Sequence, residues 1–359
     1  MRVAFVNSTR IWSGVKTWML EFGTELRGLG DEVHYFAGDA RFVEELRRRG
    51  HHAERLRFGF DYHPATIARF WRAFRRLGIE IACLNIHKEL RTAGIAARLL
   101  GIPVVHLVGL PGDITGKWDQ RLAQRCIVSR ILVPSETMRR DLLARNAFIA
   151  PAAVVTIPNG KRLGAAPHTG KGRPVRFVMT SRLDPGKRHE DALEALAGLR
   201  EPELPPFALD IYGEGARAEP LARRIAALGL GDRVRLLGFS RDLPALLPGY
   251  DFGVLASENE GLPNTALEYL AAGLPVVATD TGGTAEAVRP GENGWLFRPG
   301  DREALRGLLR RCLLLSDPEY AALSARAIAT MAEGFDPATL ARRLHDFFAE
   351  TVAQSRRPR

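Results

Sequence analysis

Residues 251–280 read DFGVLASENEGLPNTALEYLAAGLPVVATD, and this stretch decides the fold. Two short apolar runs, at residues 251–257 and 274–280, flank a Gly-Leu-Pro-Asn turn and a helical pattern. A strand, a helix and a second strand in so short a span form one βαβ unit. The stretch therefore predicts a parallel sheet of the α/β class.

The same alternation of strands and helices runs along the chain in two sets. The strands expected in the first set are MRVAFVNS, EVHYFAG, IEIACLN, IPVVHLVG and SRILVPS. Those expected in the second set are VRFVMTS, FALDIYG, RVRLLGF, DFGVLAS and LPVVATD. Between the sets lies a Gly-, Pro- and Lys-rich linker, residues 159–174. We predict two Rossmann-like domains, residues 1–165 and residues 166–336.

Length and composition indicate a globular protein of two domains, since 359 residues exceed the usual size of one core. The first apolar run is too short for a signal peptide, and we find no apolar stretch of transmembrane length. Cys83, Cys126 and Cys312 are few and widely spaced, which favours a reducing compartment and no metal site. We expect a cytoplasmic protein.

Positive charge is concentrated in the first half of the chain. Residues 1–158 hold 24 Lys and Arg against 15 Asp and Glu, whereas the remaining residues hold 27 against 26. Such an imbalance indicates an anionic partner, which could be a substrate, a phospholipid surface or nucleic acid. No pattern of a nucleic-acid-binding domain occurs, so we expect no nucleic acid.

Residues 64–78, PATIARFWRAFRRLG, form an amphipathic helical pattern. Ile67, Phe70, Trp71, Phe74 and Leu77 share one face, and four arginines border it. Two interpretations stay open. The helix either faces the core with a solvated basic side, or rests on an anionic membrane surface.

Glu260 and Glu268 lie on either side of the turn that opens the helix in the first stretch. Thr265 and Glu268 fit a capping box, and Asn264 is a good N-cap, so a purely structural role is one interpretation. The other is functional, because a helix N-terminus attracts phosphate and adjacent carboxylates can bind sugar hydroxyls.

Charged and glycine-containing loops follow several strands, where ligands bind in open α/β sheets. Arg182 and Lys187 stand on either side of a Pro-Gly turn, and both can reach one phosphate group. Gly213 and Gly215 give only part of a dinucleotide fingerprint, so a nicotinamide cofactor is rejected.

Four motifs follow one another along the second half of the chain: RLDPGKR, IYGEG, RVRLLGFSRDLPALLPGYDFGVLAS and ENEGLPNTALEYLAAGLPVVATDTGGTAEAV. Together they resemble the donor domain of retaining GT-B glycosyltransferases of family four, over most of residues 154–350. The resemblance implies two Rossmann-like domains that face each other across a cleft. It also implies a C-terminal helix, within residues 337–359, that crosses back to the first domain.

The resemblance assigns roles to matching positions. Arg182 and Lys187 would hold the donor diphosphate and stabilise the leaving nucleotide without a metal. Glu260 would contact the donor sugar, and Glu268 the ribose hydroxyls. The other expected donor-binding residues are Gly14, Gly213, Gly238, Phe239, Gly261, Leu262, Pro263, Asn264 and Thr265.

The N-terminal half matches the family less well. Ser13-Gly14 replaces the usual glycine pair, and Gly109 stands where relatives carry a histidine. His106 lies inside the strand, so a packed role and a catalytic role stay open. His87 and Asp113 are the alternative acceptor-side residues.

The resemblance implies transfer of a hexose, with retention, from a nucleotide-diphosphate-sugar to a saccharide or lipid-linked acceptor. Similar members assemble lipopolysaccharide or other surface polysaccharides. Two alternatives remain: an epimerase or phosphorylase that uses a nucleotide-sugar, and a non-catalytic nucleotide-sugar-binding protein. The sequence does not specify the donor base, the sugar, the acceptor, the linkage or the oligomeric state.

Overall fold

The computed structural model describes residues 1–10, 12–164, 166–199, 201–240 and 242–356. It divides into two compact units. One unit contains residues 1–159 together with the chain from residue 337 onward, and the other contains residues 160–336. The observed boundary follows residue 159, six residues before the one predicted at residue 165. Residue 165 itself lies outside the described residues, as do residues 357–359 of the expected C-terminal helix.

The first unit is built on a sheet in which, over the described residues, seven strands run parallel. Its order is β3-β2-β1-β4-β5-β6-β7, so β2 and β3 lie on one side of β1 and β4 to β7 lie on the other. The strands are β1 Arg2–Asn7, β2 Glu32–Ala37, β3 His52–Arg55, β4 Ile81–Leu84, β5 Val104–Leu107, β6 Arg130–Val133 and β7 Val154–Thr156.

Helices cover both faces of this sheet, as the buried apolar runs of its central strands require. They are α1 Gly14–Gly28, α2 Ala40–Arg48, α3 Pro64–Leu77, α4 His87–Glu89, α5 Ile95–Leu99, α6 Trp118–Cys126 and α7 Glu136–Arg145. A π-helical turn, Leu90–Gly94, joins α4 to α5. The C-terminal helix of the chain, described below, packs on α1 and completes one core.

The second unit has a parallel sheet of six strands in its described residues. Its order is β10-β9-β8-β11-β12-β13, so β9 and β10 lie on one side of β8 and β11 to β13 lie on the other. The strands are β8 Val175–Thr180, β9 Phe207–Tyr212, β10 Val234–Gly238, β11 Phe252–Leu255, β12 Val276–Thr279 and β13 Gly294–Phe297.

Two apolar clusters, one on each face, hold the second sheet to its helices. The helices are α8 His189–Ala197, α9 Ala218–Ala227, α10 Leu243–Leu246, α11 Asn264–Ala271, α12 Thr284–Ala287, α13 Arg302–Leu314 and α14 Asp317–Gly334. The chain then returns to the first unit as α15, Pro337–Ser355. Its buried side chains, among them Leu344 and Phe348, pack in the cluster that contains α1.

All the expected strands are present, and the structure has three further strands that were not predicted: β3, β7 and β13. Helix α1 begins at Gly14. Helix α3 adopts the core-facing arrangement: Phe70 and Phe74 are fully buried, and Trp71 is packed against the same cluster. Its apolar face is therefore unavailable to a membrane.

Candidate active site

The loop after β8 carries the two expected diphosphate-binding cations. A 3-10 turn, Pro185–Lys187, forms within it. Arg182 is half exposed and pairs with Asp184 of the same loop at 2.5 Å. Lys187 reaches across to the next site loop, where its Nζ lies 2.5 Å from Glu260 Oε1. Lys187 is thus paired with Glu260 of the neighbouring loop, whereas Arg182 is paired within its own loop.

The loop after β11 leads into α11, which begins at Asn264 with Pro263 at the N-cap position. The capping box expected from Thr265 and Glu268 is wrong, and Asn264 is not the N-cap. The Thr265 hydroxyl instead donates to the carbonyl of Thr180 at the end of β8. A tertiary hydrogen bond has taken the place of the local one, which fixes the helix start against the neighbouring strand.

Glu268 points to a partner that the sequence did not indicate. Its Oε1 lies 3.0 Å from Nζ of Lys161, a lysine whose side chain is only 6% exposed. Lys161 also donates its backbone N–H to Phe335 O. Nothing in the local pattern of residues 159–174 marks Lys161, because burial of this lysine depends on a residue about a hundred positions away.

Backbone contacts hold the two site loops together. The N–H of Glu258 donates to Gly186 O at 2.9 Å, and the N–H of Gly283 donates to Gly261 O at 2.5 Å. Gly282 has a φ of 54°, and a Cβ there would lie 1.7 Å from Glu260 O. Only glycine allows this approach, so the 282–283 turn packs directly against the backbone of Glu260.

Gly213, Gly238 and Phe239 lie at the ends of β9 and β10. The Gly213 N–H donates to Gly238 O at 2.8 Å. A Cβ on Gly213 would lie 1.9 Å from Ser181 O, so glycine keeps this loop against the Arg182 loop. The Phe239 ring is half exposed, as a side chain that borders a nucleotide base would be.

The remaining residues expected to bind the donor form the turn before α11 and its first helical positions. Gly261, Leu262 and Pro263 are buried, whereas Asn264 and Thr265 are half-buried at the first helical positions. This end of the helix carries N–H groups that a phosphate can accept. Cations, carboxylates and a helix start therefore converge at the carboxyl ends of β8 and β11, where a diphosphate and two sugars can be bound.

In the first unit, Gly14 is the exposed first residue of α1. His106 is a packed residue of β5, and its candidacy on the acceptor side is wrong on geometry. Its Nε2–H donates to Asn85 O at 2.8 Å, and its Nδ1 accepts from Gln124 at 2.7 Å. Burial lowers the pKa of His106 to about 4, so the ring is neutral and fully engaged.

His87 and Asp113 lie close together beyond β4 and β5. The Nε2–H of His87 donates to the backbone carbonyl of Asp113 at 3.1 Å, which leaves Nδ1 unprotonated. Burial lowers the pKa of His87 and raises that of Asp113. The Asp113 carboxylate accepts the N–H groups of Gly109 and Leu110, so it shapes its own loop.

Sequence reasoning also missed Glu89, a fully buried carboxylate beside His87. It accepts hydrogen bonds from Ser8 N–H, Ser8 Oγ, Asn85 N–H and Ile86 N–H. These donors come from the ends of β1 and β4, where the sheet order reverses. Burial raises the pKa of Glu89 to about 6. Its position in the string NIHKEL gave no sign of this role.

No group of three or more His, Cys, Asp or Glu side chains in the described part of the chain is arranged to hold a metal ion. None of the helices described there is both long and apolar enough to cross a membrane.

Sequence families match both units. Residues 12–162 match "Glycosyltransferase Family 4", and residues 166–330 match "Glycosyl transferases group 1". The chain is 27% identical over 282 residues to the UDP-Gal:alpha-D-GlcNAc-diphosphoundecaprenol alpha-1,3-galactosyltransferase of Escherichia coli, with 72% of each chain covered. It is 33% identical over 208 residues to an exopolysaccharide phosphotransferase of Streptomyces coelicolor, which covers 56% of this chain and 22% of that one. Two other curated relatives are matched over only 28% and 33% of their length.

Among solved structures, Anabaena HepE in complex with UDP-glucose superimposes with a TM-score of 0.82 at 21% identity. The match covers 98% of this chain and all of that one, which shows a shared fold. Fold, motifs and both family matches agree: the chain belongs to the GT-B glycosyltransferases, with a Glycosyltransferase Family 4 domain followed by a Glycosyl transferases group 1 domain.

Proposed function

We propose that this protein is a retaining glycosyltransferase that moves a hexose from a nucleotide-diphosphate-sugar to a saccharide or lipid-linked acceptor in surface-polysaccharide or lipopolysaccharide synthesis. The observation that carries the proposal is the Lys187–Glu260 pair, 2.5 Å apart, beside the start of α11. A cation, a carboxylate and a helix N-terminus at one point suit a donor in which a sugar adjoins a diphosphate.

In the proposed reaction, the bond between the anomeric carbon and the diphosphate oxygen breaks, and the electron pair leaves with the diphosphate. Arg182, Lys187 and the N–H groups at the start of α11 stabilise that negative charge, with no metal required. Glu260 binds the hexose and Glu268 the ribose. The acceptor oxygen then bonds to the anomeric carbon on the same face, and its proton passes to the leaving phosphate.

The donor we favour is a UDP-sugar. HepE is seen with UDP-glucose, and the Escherichia coli relative is named for UDP-Gal. That relative acts on a sugar joined through a diphosphate to a lipid, which favours a lipid-linked acceptor here. We place the enzyme in the cytoplasm, in peripheral contact with an anionic membrane. Residues 64–78 would contribute only charge, because their apolar face is packed.

The test is incubation with UDP-, GDP-, ADP- and dTDP-sugars, with thermal shift for binding and product analysis for chemistry. Selective stabilisation by one donor follows from mass action if that donor binds the native state. Slow donor hydrolysis, lost in Glu260→Ala, would support transfer. Conversion of the sugar without acceptor would indicate an epimerase, and binding without turnover on any acceptor would indicate a non-catalytic protein.

A further inference from the structure

Helix α6 buries two glutamines and exposes its two largest apolar side chains. Gln120 and Gln124 are 9% and 8% exposed, whereas Trp118 is 79% and Leu122 is 54% exposed. The glutamines are satisfied there: Gln120 Oε1 accepts from Thr115 N–H and Oγ1, and Gln124 donates to a buried histidine. The inward face is thus fixed by specific hydrogen bonds, which leaves tryptophan and leucine facing solvent.

A second pair of exposed aromatic side chains lies on the loop after β3. Phe60 is 66% exposed and Tyr62 is 52% exposed. Tyr62 has a φ of 61°, a left-handed conformation that an aromatic residue adopts only when its surroundings impose it. The loop is therefore held in a defined shape that keeps both rings in water.

Arg91 joins this loop to α6. Its guanidinium pairs with Asp61 of the loop and with Asp119 of the helix, and lies 5.7 Å from the centre of the Tyr62 ring. The side chain of Arg91 is only 16% exposed. One partly buried cation thus links the loop that carries Phe60 and Tyr62 to the helix that carries Trp118 and Leu122, and we name these four side chains the aromatic surface.

Positive charge borders the aromatic surface. Lys117, Arg121 and Arg125 are exposed on or beside α6. Asp61 and Asp119 are both paired with Arg91, so the exposed lysine and arginines make the border positive. Tryptophan and leucine surrounded by lysine and arginine are typical of a surface that lies in the interface of a bilayer. A second copy of the chain would bring like charges together.

We propose that the aromatic surface rests on an anionic lipid bilayer. The inference depends on the proposed function, in which the acceptor is lipid-linked. The loops after β3, β4 and β5 all leave the carboxyl edge of the sheet, where ligands bind in this class of fold. Contact with lipid would therefore set that edge, with His87 and Asp113, beside the membrane that supplies the acceptor.

The experiment is sedimentation of the full chain with phosphatidylcholine vesicles, with and without phosphatidylglycerol. We expect binding to the anionic vesicles only, weakened roughly tenfold or more in the double variant Trp118→Ser/Leu122→Ser. The matched control is Leu99→Ser, which removes a leucine of the same unit that is 68% exposed and outside the aromatic surface. Arg121→Ser/Arg125→Ser should abolish the preference for phosphatidylglycerol.

UDP-induced thermal shift, measured on the same preparations, separates this inference from the proposed function. Absence of wild-type binding to anionic vesicles at low salt, with the UDP shift intact, would overturn the membrane surface alone. Unchanged vesicle binding by the Trp118→Ser/Leu122→Ser variant would also overturn it. So would a dimer in solution that this variant converts to monomer, because the surface would then bind a second copy.

Discussion

Lys161 Nζ and Glu268 Oε1 form an ion pair at 3.0 Å. Lys161 is the second residue of the second unit, and Glu268 is the glutamate that we assign to the ribose. The lysine is almost fully buried, and the carboxylate is a quarter exposed. One carboxylate oxygen is thus held by the protein. We interpret Lys161 as the residue that orients Glu268 for the nucleotide.

Replacement of Lys161 by methionine should therefore weaken UDP binding by about tenfold, because Glu268 loses the charge that orients it. The free energy of unfolding should fall by roughly 1–2 kcal/mol, less than for a fully buried pair since Glu268 still meets water. Isothermal titration with UDP measures the first effect, and urea denaturation the second. Lys161→Arg keeps the charge and should recover most of the binding; equal losses in both variants would show that only packing matters.

The two cations of the β8 loop should matter for diphosphate binding, and the half-exposed Arg182 should matter little for folding. Arg182→Ala and Lys187→Ala should each weaken UDP binding by about ten- to a hundredfold, because each removes a charge-assisted contact. Uridine, which lacks phosphates, should bind the variants and the wild type alike. Arg223→Ala is the control, since this arginine of α9 is 65% exposed. Equal weakening of UDP and uridine would contradict the assignment.

The sequence predicts the core strands well because each one is a short apolar run followed by a glycine or polar loop. It misses β3, whose residues HAER are mostly exposed at the sheet edge, and so lack the apolar signal. It misses β13 because Gly294–Phe297 follows a turn and pairs with β12 by contacts remote in sequence.

The site is predictable where its residues follow strand ends, as Arg182, Lys187 and Glu260 do. Local motifs fail where a tertiary partner competes: Thr265 hydrogen-bonds to β8 and not to its own helix. Lys161 and Glu89 escape the sequence because their burial depends on distant residues. The apolar face of α3 also reads equally well as core or membrane surface until its neighbours are known.

The 282–283 turn gives a test of site geometry that changes no charge. A Cβ on Gly282 would meet Glu260 O, whereas a Cβ on Gly291 would meet nothing within 4 Å. Both glycines have positive φ, so alanine at either position costs about 1 kcal/mol of backbone strain. Only Gly282→Ala should also displace Glu260. We expect loss of transfer and of donor hydrolysis in Gly282→Ala, with Gly291→Ala near wild type in both; equal activity would show that Glu260 does not depend on this turn.

Glu89 makes stability depend on pH in a direction opposite to that of most carboxylates. Its pKa is about 6 in the folded protein against an ordinary value of 4.5, because burial outweighs its hydrogen bonds. The native state therefore binds this proton more tightly than the unfolded state. Its contribution to stability is fully present below pH 4.5 and is lost as the pH rises through about 6, by roughly 2 kcal/mol in total.

The measurement is urea denaturation of the wild type and of Glu89→Gln at several values between pH 4 and pH 8. Glutamine cannot ionise, so the difference in unfolding free energy between the two proteins should change by roughly 2 kcal/mol across this range. The variant should be the less stable protein at every pH, because its amide N–H₂ faces backbone donors where Glu89 has an acceptor. A difference that stays constant with pH would mean that the pKa of Glu89 is the same in the folded and the unfolded protein, and that its four donors offset burial.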